Sequence, residues 1–343
     1  MAYAYDNLKL EKGMYGQAGK SFSQILEQVD PSENYKGTPL EGLDAFQRQL
    51  KRFGIHVKGR NSDVVEKFFH TSDSAVLFPE FVSRVVRQGM EENDILPSIT
   101  ATITEFNGQD YRSIYSDISD ADKSLKLVSE GAELPQTTVR TKDHLVQLHK
   151  RGRMLVASYE AIRFQRLDLF SITLRQIGSH IAKMHLEDAI DVILNGDGNE
   201  NAAHVYSVGT SPIGGTGGEV SYEALLDFWA QFDPYSMNTI LAGNDIVLKL
   251  LKISEFQNPM AGMNFQGTGT LISPLGAKLL RTSAMPAGML IGMDKNCALE
   301  MVRCGGVNVE YDKLIDRQVE RAAITSTSGF AKLYQGASKY LII

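Results

Sequence analysis

The sequence predicts an α+β fold, and three observations carry that reading. A single stretch with helical periodicity runs from about Ser158 to Leu194, far longer than anything around it. Ahead of it, Ile99, Ala101 and Ile103 alternate with Thr100, Thr102 and Thr104, the pattern of a half-buried strand. Behind it, short helical and strand-like pieces alternate from Ser221 to Val302, as a compact α/β domain requires. At 343 residues, two domains are expected rather than one or four.

Taken in order, residues 1–75 balance ten basic against ten acidic residues and hold only short periodic pieces, such as Leu40, Leu43, Phe46, Leu50 and Phe53. Gly13, Gly16, Gly19, Gly37 and Gly59 interrupt the rest. So little apolar surface predicts an arm without a core of its own, lying on another surface, that of another molecule included. Residues 76–97 read as a helix opened by Pro79, with Phe81, Val82, Val85 and Val86 along one side, closing at Ile95, Leu96 and Pro97. Residues 98–150 read as a long, thin β-excursion. After the Ile99–Thr104 strand comes a hairpin signal at Asn107-Gly108, then strand-like pieces at 125–128, 137–140 and 145–148. It has too few large apolar residues to stand alone.

Residues 151–198 carry the long helix. Leu167, Phe170, Leu174, Ile177, Ile181 and Met184 recur at spacings of three and four, and Ala189, Ile190 and Ile193 continue the buried side. The pattern spans only about three heptads and stops at Asn195-Gly196-Asp197-Gly198, which favours a scaffold helix on a sheet over a coiled coil. Residues 199–305 form the α/β domain. Ser221 caps a helix with Leu225 and Phe228, Thr239–Ala242 is a buried strand, Asn244 caps a second helix, and strands follow at 290–292 and 299–302. Residues 306–343 return to strand character and are expected to rejoin the sheet beneath the long helix.

Charge narrows the function. The net charge is −6, which disfavours tight grip on nucleic acid, since that affinity comes from neutralised phosphates. No apolar run approaches the 18 or so residues of a membrane span, and Met1–Leu10 does not build a signal-peptide core, so no membrane or secretory role is expected. The two cysteines, Cys297 and Cys304, suit a reducing compartment.

The candidate chemical motifs fail on spacing. Gly214–Gly218 has no Gly-Lys-Ser/Thr after it, and Val220 stands where a dinucleotide fingerprint needs its third glycine. Asp197, Asn199 and Asn201 imitate the start of a calcium loop that then lacks its glycine and glutamate. His180 and His185 are five apart on a helix, and His144 and His149 five apart on a strand, so neither pair shares a face for a metal. There is no nucleophile elbow. No catalytic residue, metal or cofactor is therefore expected.

The order of parts is similar to that of the major capsid proteins of tailed bacteriophages, the Hong Kong 97 capsid fold family. Ser129-Glu130-Gly131-Ala132-Glu133-Leu134-Pro135-Gln136 resembles the Glu-Gly-x-x-x-Pro segment of the family's extended loop, and Leu145–Lys150 the strand that returns from it. Val156-Ala157-Ser158-Tyr159-Glu160 and Glu187–Gly198 resemble the entry and exit of its spine helix. Met285-Pro286-Ala287-Gly288, Leu290–Met293 and Gly329-Phe330-Ala331 also fit.

The resemblance implies an N-terminal arm (1–75), a peripheral-domain helix and strand (76–97), an extended loop (98–150), a spine helix (151–198), an axial domain (199–305) and a return to the peripheral sheet (306–343). It further implies hexamers and pentamers in an icosahedral head shell, assembled in the host bacterial cytoplasm around double-stranded DNA that is touched weakly. Implied partners are a portal protein and a scaffold or maturation protease. The alternatives are an encapsulin-type compartment and, from another class, a soluble α/β enzyme. The resemblance also implies that the extended loop lies over the adjacent subunit; residues 98–139 carry a net −4 and residues 140–183 a net +6, so a loop that crosses a neighbour's spine sets an acidic surface on a basic one, the alternatives being solvated faces or a basic side turned inward to DNA. Glu130 and Glu133 would then face Arg151, Arg153, Arg163 and Arg166 between subunits.

Overall fold

The computed structural model describes residues 4–16, 20–106, 108, 110–116, 127, 139–142, 144–158, 160, 164–257, 273, 275–314 and 318–343. Its main helices are α1 (Phe22–Val29), α2 (Ala45–Arg52), α3 (Leu77–Glu92), α4 (Leu167–Asn195), α5 (Tyr222–Ala230) and α6 (Asn244–Leu250). The strands are β1 (Thr102–Glu105), β2 (Ile114–Ser116), β3 (Val139–Thr141), β4 (His149–Ser158), β5 (His204–Ser207) and β6 (Thr239–Ala242). They continue with β7 (Lys278–Arg281), β8 (Met289–Met293), β9 (Leu299–Arg303), β10 (Asn308–Leu314), β11 (Val319–Lys332) and β12 (Ser338–Ile342).

One unit comprises Met1–Asn93, Lys150–Ala182 and Gly306–Ser326. Here the expectation for residues 1–75 is corrected. Phe22, Leu26, Phe46, Leu50, Val65 and Phe68 are buried in one cluster with Leu77, Phe81 and Val82 of α3, Leu167 and Leu174 of α4, and Val309 and Ile324. The arm thus has a core within its own chain. Its apolar residues are sparse along the sequence but converge once short helices form, and each buried Phe or Leu contributes about 1.5–3 kcal/mol. Those helices start at capping boxes, Ser21 with Gln24 and Asp44 with Gln47. Arg48 is fully buried, bonded to Asp30 at 2.7 Å and stacked 4.3 Å from the Tyr35 ring centroid.

The helix α4 also begins later than its periodicity suggests. Residues 149–158 are a strand paired with β11, leaving a helix of 29 residues, roughly 43 Å long. Just before Leu167 the chain pairs with residues far away in sequence: Arg166 forms an isolated antiparallel bridge with Val64, and the Val65 N–H donates to the Gln165 carbonyl at 2.9 Å. Within this unit Leu174 is buried, and Ile177 and Ile181 are half-buried against the cluster that holds Ala322 and Ile324. Two glycines let α3 and α4 touch backbone to backbone. A Cβ on Gly178 would fall 2.1 Å from the Val86 carbonyl oxygen, and one on Gly89 2.3 Å from that of Arg175.

The other unit comprises Asp94–His149, Lys183–Gly305 and Thr327–Ile343. Its five-stranded sheet has the order β5-β12-β8-β6-β7, in which β12 runs parallel to β5 and antiparallel to β8. This corrects the assignment of all of 306–343 to the other sheet: after the turn at Gln335–Ala337 the chain enters this one, and Leu341 is buried in its core. Against the sheet lie Leu225 and Phe228 of α5 and Ile246 and Leu250 of α6. Ser221 caps α5 by accepting from the Ala224 N–H, whereas Asn244 is the first residue of α6 and Gly243 its cap.

The excursion differs in detail from its sequence reading. Strand β1 pairs in parallel with β9, from Thr102↔Glu300 to Glu105↔Arg303, instead of forming a hairpin at Asn107-Gly108, of which Asn107 lies outside the described residues. A true antiparallel ladder joins β2 to β3, Ile114↔Thr141 through Ser116↔Val139. Of the piece expected at 125–128, only Leu127 is described, and it is exposed. Residues 145–148 lie outside any named strand, yet Val146 is buried beside Val302 and Ala331.

Candidate functional site

Two buried polar nodes fix the base of the excursion. The Glu300 side chain accepts from Thr104 Oγ1 at 2.7 Å and Tyr111 OH at 2.6 Å on one oxygen, and from Ser113 Oγ at 2.5 Å on the other. Burial raises the Tyr111 phenol above its ordinary range, and its bond to Glu300 adds to the rise. Three hydroxyls on one buried carboxylate hold residues 104–113 to β9. In the second node, Lys142 Nζ lies 2.8 Å from Asp197 Oδ2 with both side chains nearly sealed, and it also donates to the Lys332 carbonyl. Burial alone would raise the Asp197 carboxyl. Bonds from Lys142, Asn199 and the Lys332 N–H more than reverse this and hold it below the usual carboxylate range. Lys332 is itself fully buried, and burial pushes its ammonium down to about 7 against the opposing pull of Asp197.

These nodes are structural. Asp197 and Asn201, which imitate calcium ligands in the sequence, are spent on internal bonds, the Asn199 amide and the Asp197 N–H among the donors. Among the described residues no group of three His, Cys, Asp or Glu is placed to hold a metal, and no helix is long and apolar enough to cross a membrane. In the glycine loop the Gly214 N–H donates to Asp227 at 2.9 Å, so that amide is already engaged.

Of the charged residues expected between subunits, Glu130, Glu133 and Arg163 lie outside the described residues. Arg151 is half-buried on β4 and has partners within the chain. Arg153 on the same strand is exposed. Arg166 points back into its own unit, donating from Nη2 to the carbonyls of Gly59 at 3.1 Å and Arg60 at 2.9 Å.

The sequence reading missed the apolar surface beside them. Met154 and Val156 on β4 are 52% and 58% exposed, Phe164 77%, and Leu169 and Ile172 on α4 54% and 45%. The signal was present, because Leu169 and Ile172 fall off the stripe through Leu167, Phe170 and Leu174, and a helix apolar on more than one side has more than one neighbour. A groove of about 470 Å³ that includes Ile172 is lined by Phe46, Leu50 and Phe81, with Lys58, Arg84, Asp168 and Arg175 as its charged residues. Five large apolar side chains thus stand exposed on this unit.

A protein-family model described as phage capsid protein matches residues 141–319, more than half of the chain. The chain belongs to the phage capsid protein family. As a member of that family it is a shell-building structural protein of the virion, a major capsid protein that associates with copies of itself, and the two-unit α+β architecture is the Hong Kong 97 type. The capsid of a native GTA particle is similar in fold, at 15% identity and a TM-score of 0.53, over 72% of this chain and 89% of that one. So are a virus-like particle from Pyrococcus furiosus, at 13% and 0.51 over 76% and 98%, and the mature capsid of bacteriophage PhiM1, at 8% and 0.50 over 73% and 87%. No curated sequence is a significant match.

Proposed function

We propose that this capsid protein forms hexamers and pentamers that close into an icosahedral head shell around double-stranded DNA, and that it carries no catalytic activity. The observation that supports this best is the exposure of five large apolar side chains on one unit, Met154, Val156, Phe164, Leu169 and Ile172, which association with further copies would cover. In this reading residues 1–75 are the arm, 98–150 the extended loop, 151–198 the spine segment and 199–305 the axial domain. The acidic loop segment with Glu130 and Glu133 crosses the basic segment with Arg151, Arg153 and Arg163 on a neighbour. Assembly takes place in the host bacterial cytoplasm, with a portal protein and a scaffold or maturation protease as partners. The net charge of −6 supports weak contact with the packaged DNA.

Sedimentation and electron microscopy of the purified full chain test the reading. Closed shells with five- and six-fold capsomers are expected, and nuclease-protected DNA in particles taken from infected cells. Small soluble oligomers alone would overturn it, and shells filled with protein instead of DNA would point to an encapsulin-type compartment.

A further inference from the structure

The sheet of the second unit has two unlike edges. In the order β5-β12-β8-β6-β7 the outer strands are β5 and β7, each with a neighbour strand on one side only. Helix α5 lies at the β5 side, where Phe228 meets the Tyr206 ring edge-on with centroids 6.0 Å apart. Helix α6 follows β6, the neighbour of β7, and packs on the same core. Each helix leaves apolar surface uncovered: Leu226 and Trp229, three apart on one face of α5, and Leu248 on α6. Trp229 is 47% exposed and is the only tryptophan of the chain.

Charge divides along the same line. Residues 199–238, which supply β5 and α5, hold five acids and no lysine or arginine, whereas residues 239–281, which supply β6, α6 and β7, hold four bases against two acids. Part of this charge is already engaged within the chain. The Asp227 carboxylate accepts from the Gly214 N–H, Asp233 acts on Lys339, Lys249 donates to the Gly218 carbonyl and acts on Asp245, and Lys278 donates to Ser98. Glu200 and Glu223 on the first side, and Lys252 and Arg281 on the second, are exposed and have no ion-pair partner among the described residues.

We infer that the edge built from β5 and α5 docks head to tail on the α6 and β7 edge of a second copy of the chain, and that Trp229 is covered there. Apolar side chains rimmed by charge are the anatomy of a protein interface, and tryptophan is enriched at the energetic centre of such surfaces. Charge complementarity selects the second copy and sets the symmetry. Two acidic edges repel, as do two basic ones, so the contact joins unlike surfaces, and such a contact repeated by rotation closes a ring. The inference rests on the reading of hexamers and pentamers and names the surfaces through which their copies meet.

The test uses the full-length chain and reads Trp229 by its own fluorescence. On assembly the emission is expected to move to shorter wavelength and quenching by acrylamide to fall at least threefold; unchanged quenching in assembled particles would overturn the contact. Trp229→Cys with Leu248→Cys in one chain is expected to give, on oxidation of the assembled protein, a ladder of disulfide-linked species up to five and six subunits. Each single variant, which keeps Cys297 and Cys304, is expected to give no ladder. A dimer from Trp229→Cys alone would mean that two α5 edges meet and would overturn the head-to-tail arrangement. Lys252→Glu with Arg281→Glu is expected to slow assembly several-fold at low salt, and Glu200→Lys with Glu223→Lys added to the same chain to restore part of the rate; an unchanged rate, or no rescue, would overturn the charge match. Shells without ladder or fluorescence change would sink the contact and leave the shell reading standing, whereas a ladder from small oligomers that never close would support the contact and sink the shell reading.

Discussion

Lys332 shows how a single buried residue ties the fold to pH. Its ammonium is fully buried, with Nζ 3.4 Å from the Ile193 carbonyl oxygen, and burial lowers its pKa from 10.5 to about 7. Between those values the unfolded chain binds a proton that the folded chain has released, so stability rises with pH across the window. Urea unfolding of the wild type is therefore expected to give higher stability at pH 9 than at pH 7, and Lys332→Met is expected to flatten the difference. Asp197 works with the opposite sign. Its folded value lies below the ordinary one of 3.8, so its contribution is present above that value and lost as pH falls through the lowered one. Asp197→Asn is expected to cost about 3 kcal/mol at neutral pH, because it leaves the Lys142 charge buried and unpaired, and urea unfolding beside the wild type measures it. Neither role was legible beforehand: Lys142, Asp197 and Lys332 are far apart in sequence, and nothing local marks one partner for another.

Among the elements, the contact between α3 and α4 is the one most exposed to a single substitution. Any side chain at Gly178 meets the Val86 backbone at 2.1 Å, and a carbonyl cannot rotate away as a side chain can. Gly178→Val is expected to lose about 3 kcal/mol, visible as a lowered thermal midpoint with the secondary structure kept. Ile177→Asp puts a carboxylate on the half-buried face of α4 beside the cluster of Ala322 and Ile324. A loss of about 2 kcal/mol is expected there, less than at a sealed site, and unchanged denaturation would mean that face carries no core. The periodicity located that face from sequence because Leu174, Ile177 and Ile181 follow one stripe. It misplaced the helix start because Gln165 and Arg166 pair with Val65 and Val64, partners about 100 residues away in sequence.

For the whole shell, the charge asymmetry sets an expectation about rate. Exposed ion pairs contribute roughly 0–1 kcal/mol each and are screened by salt, so they steer association more than they hold the product. Glu130→Lys with Glu133→Lys is expected to slow assembly at low salt, by light scattering, with added salt narrowing the gap from wild type. Partial rescue is expected from Arg163→Glu in the same chain. Arg166→Glu is a poorer rescue, because it also removes the bonds to Gly59 and Arg60 that tie the start of α4 to its own unit. Unchanged kinetics at low salt would remove the charged contact.

By itself the sequence determined the α+β class, the long helix and its Asn-Gly-Asp-Gly stop, and the strand at Thr239–Ala242. All of these are written in neighbouring residues, where period, caps and glycines act within a few positions. Tertiary structure alone decided where long-range partners meet. It gathered the scattered apolar residues of 1–75 into a core with α3 and α4, sent β12 into the second sheet, and put three hydroxyls on Glu300. The physical reason is that burial and strand pairing reward contacts between residues distant in sequence, and no short window holds both partners.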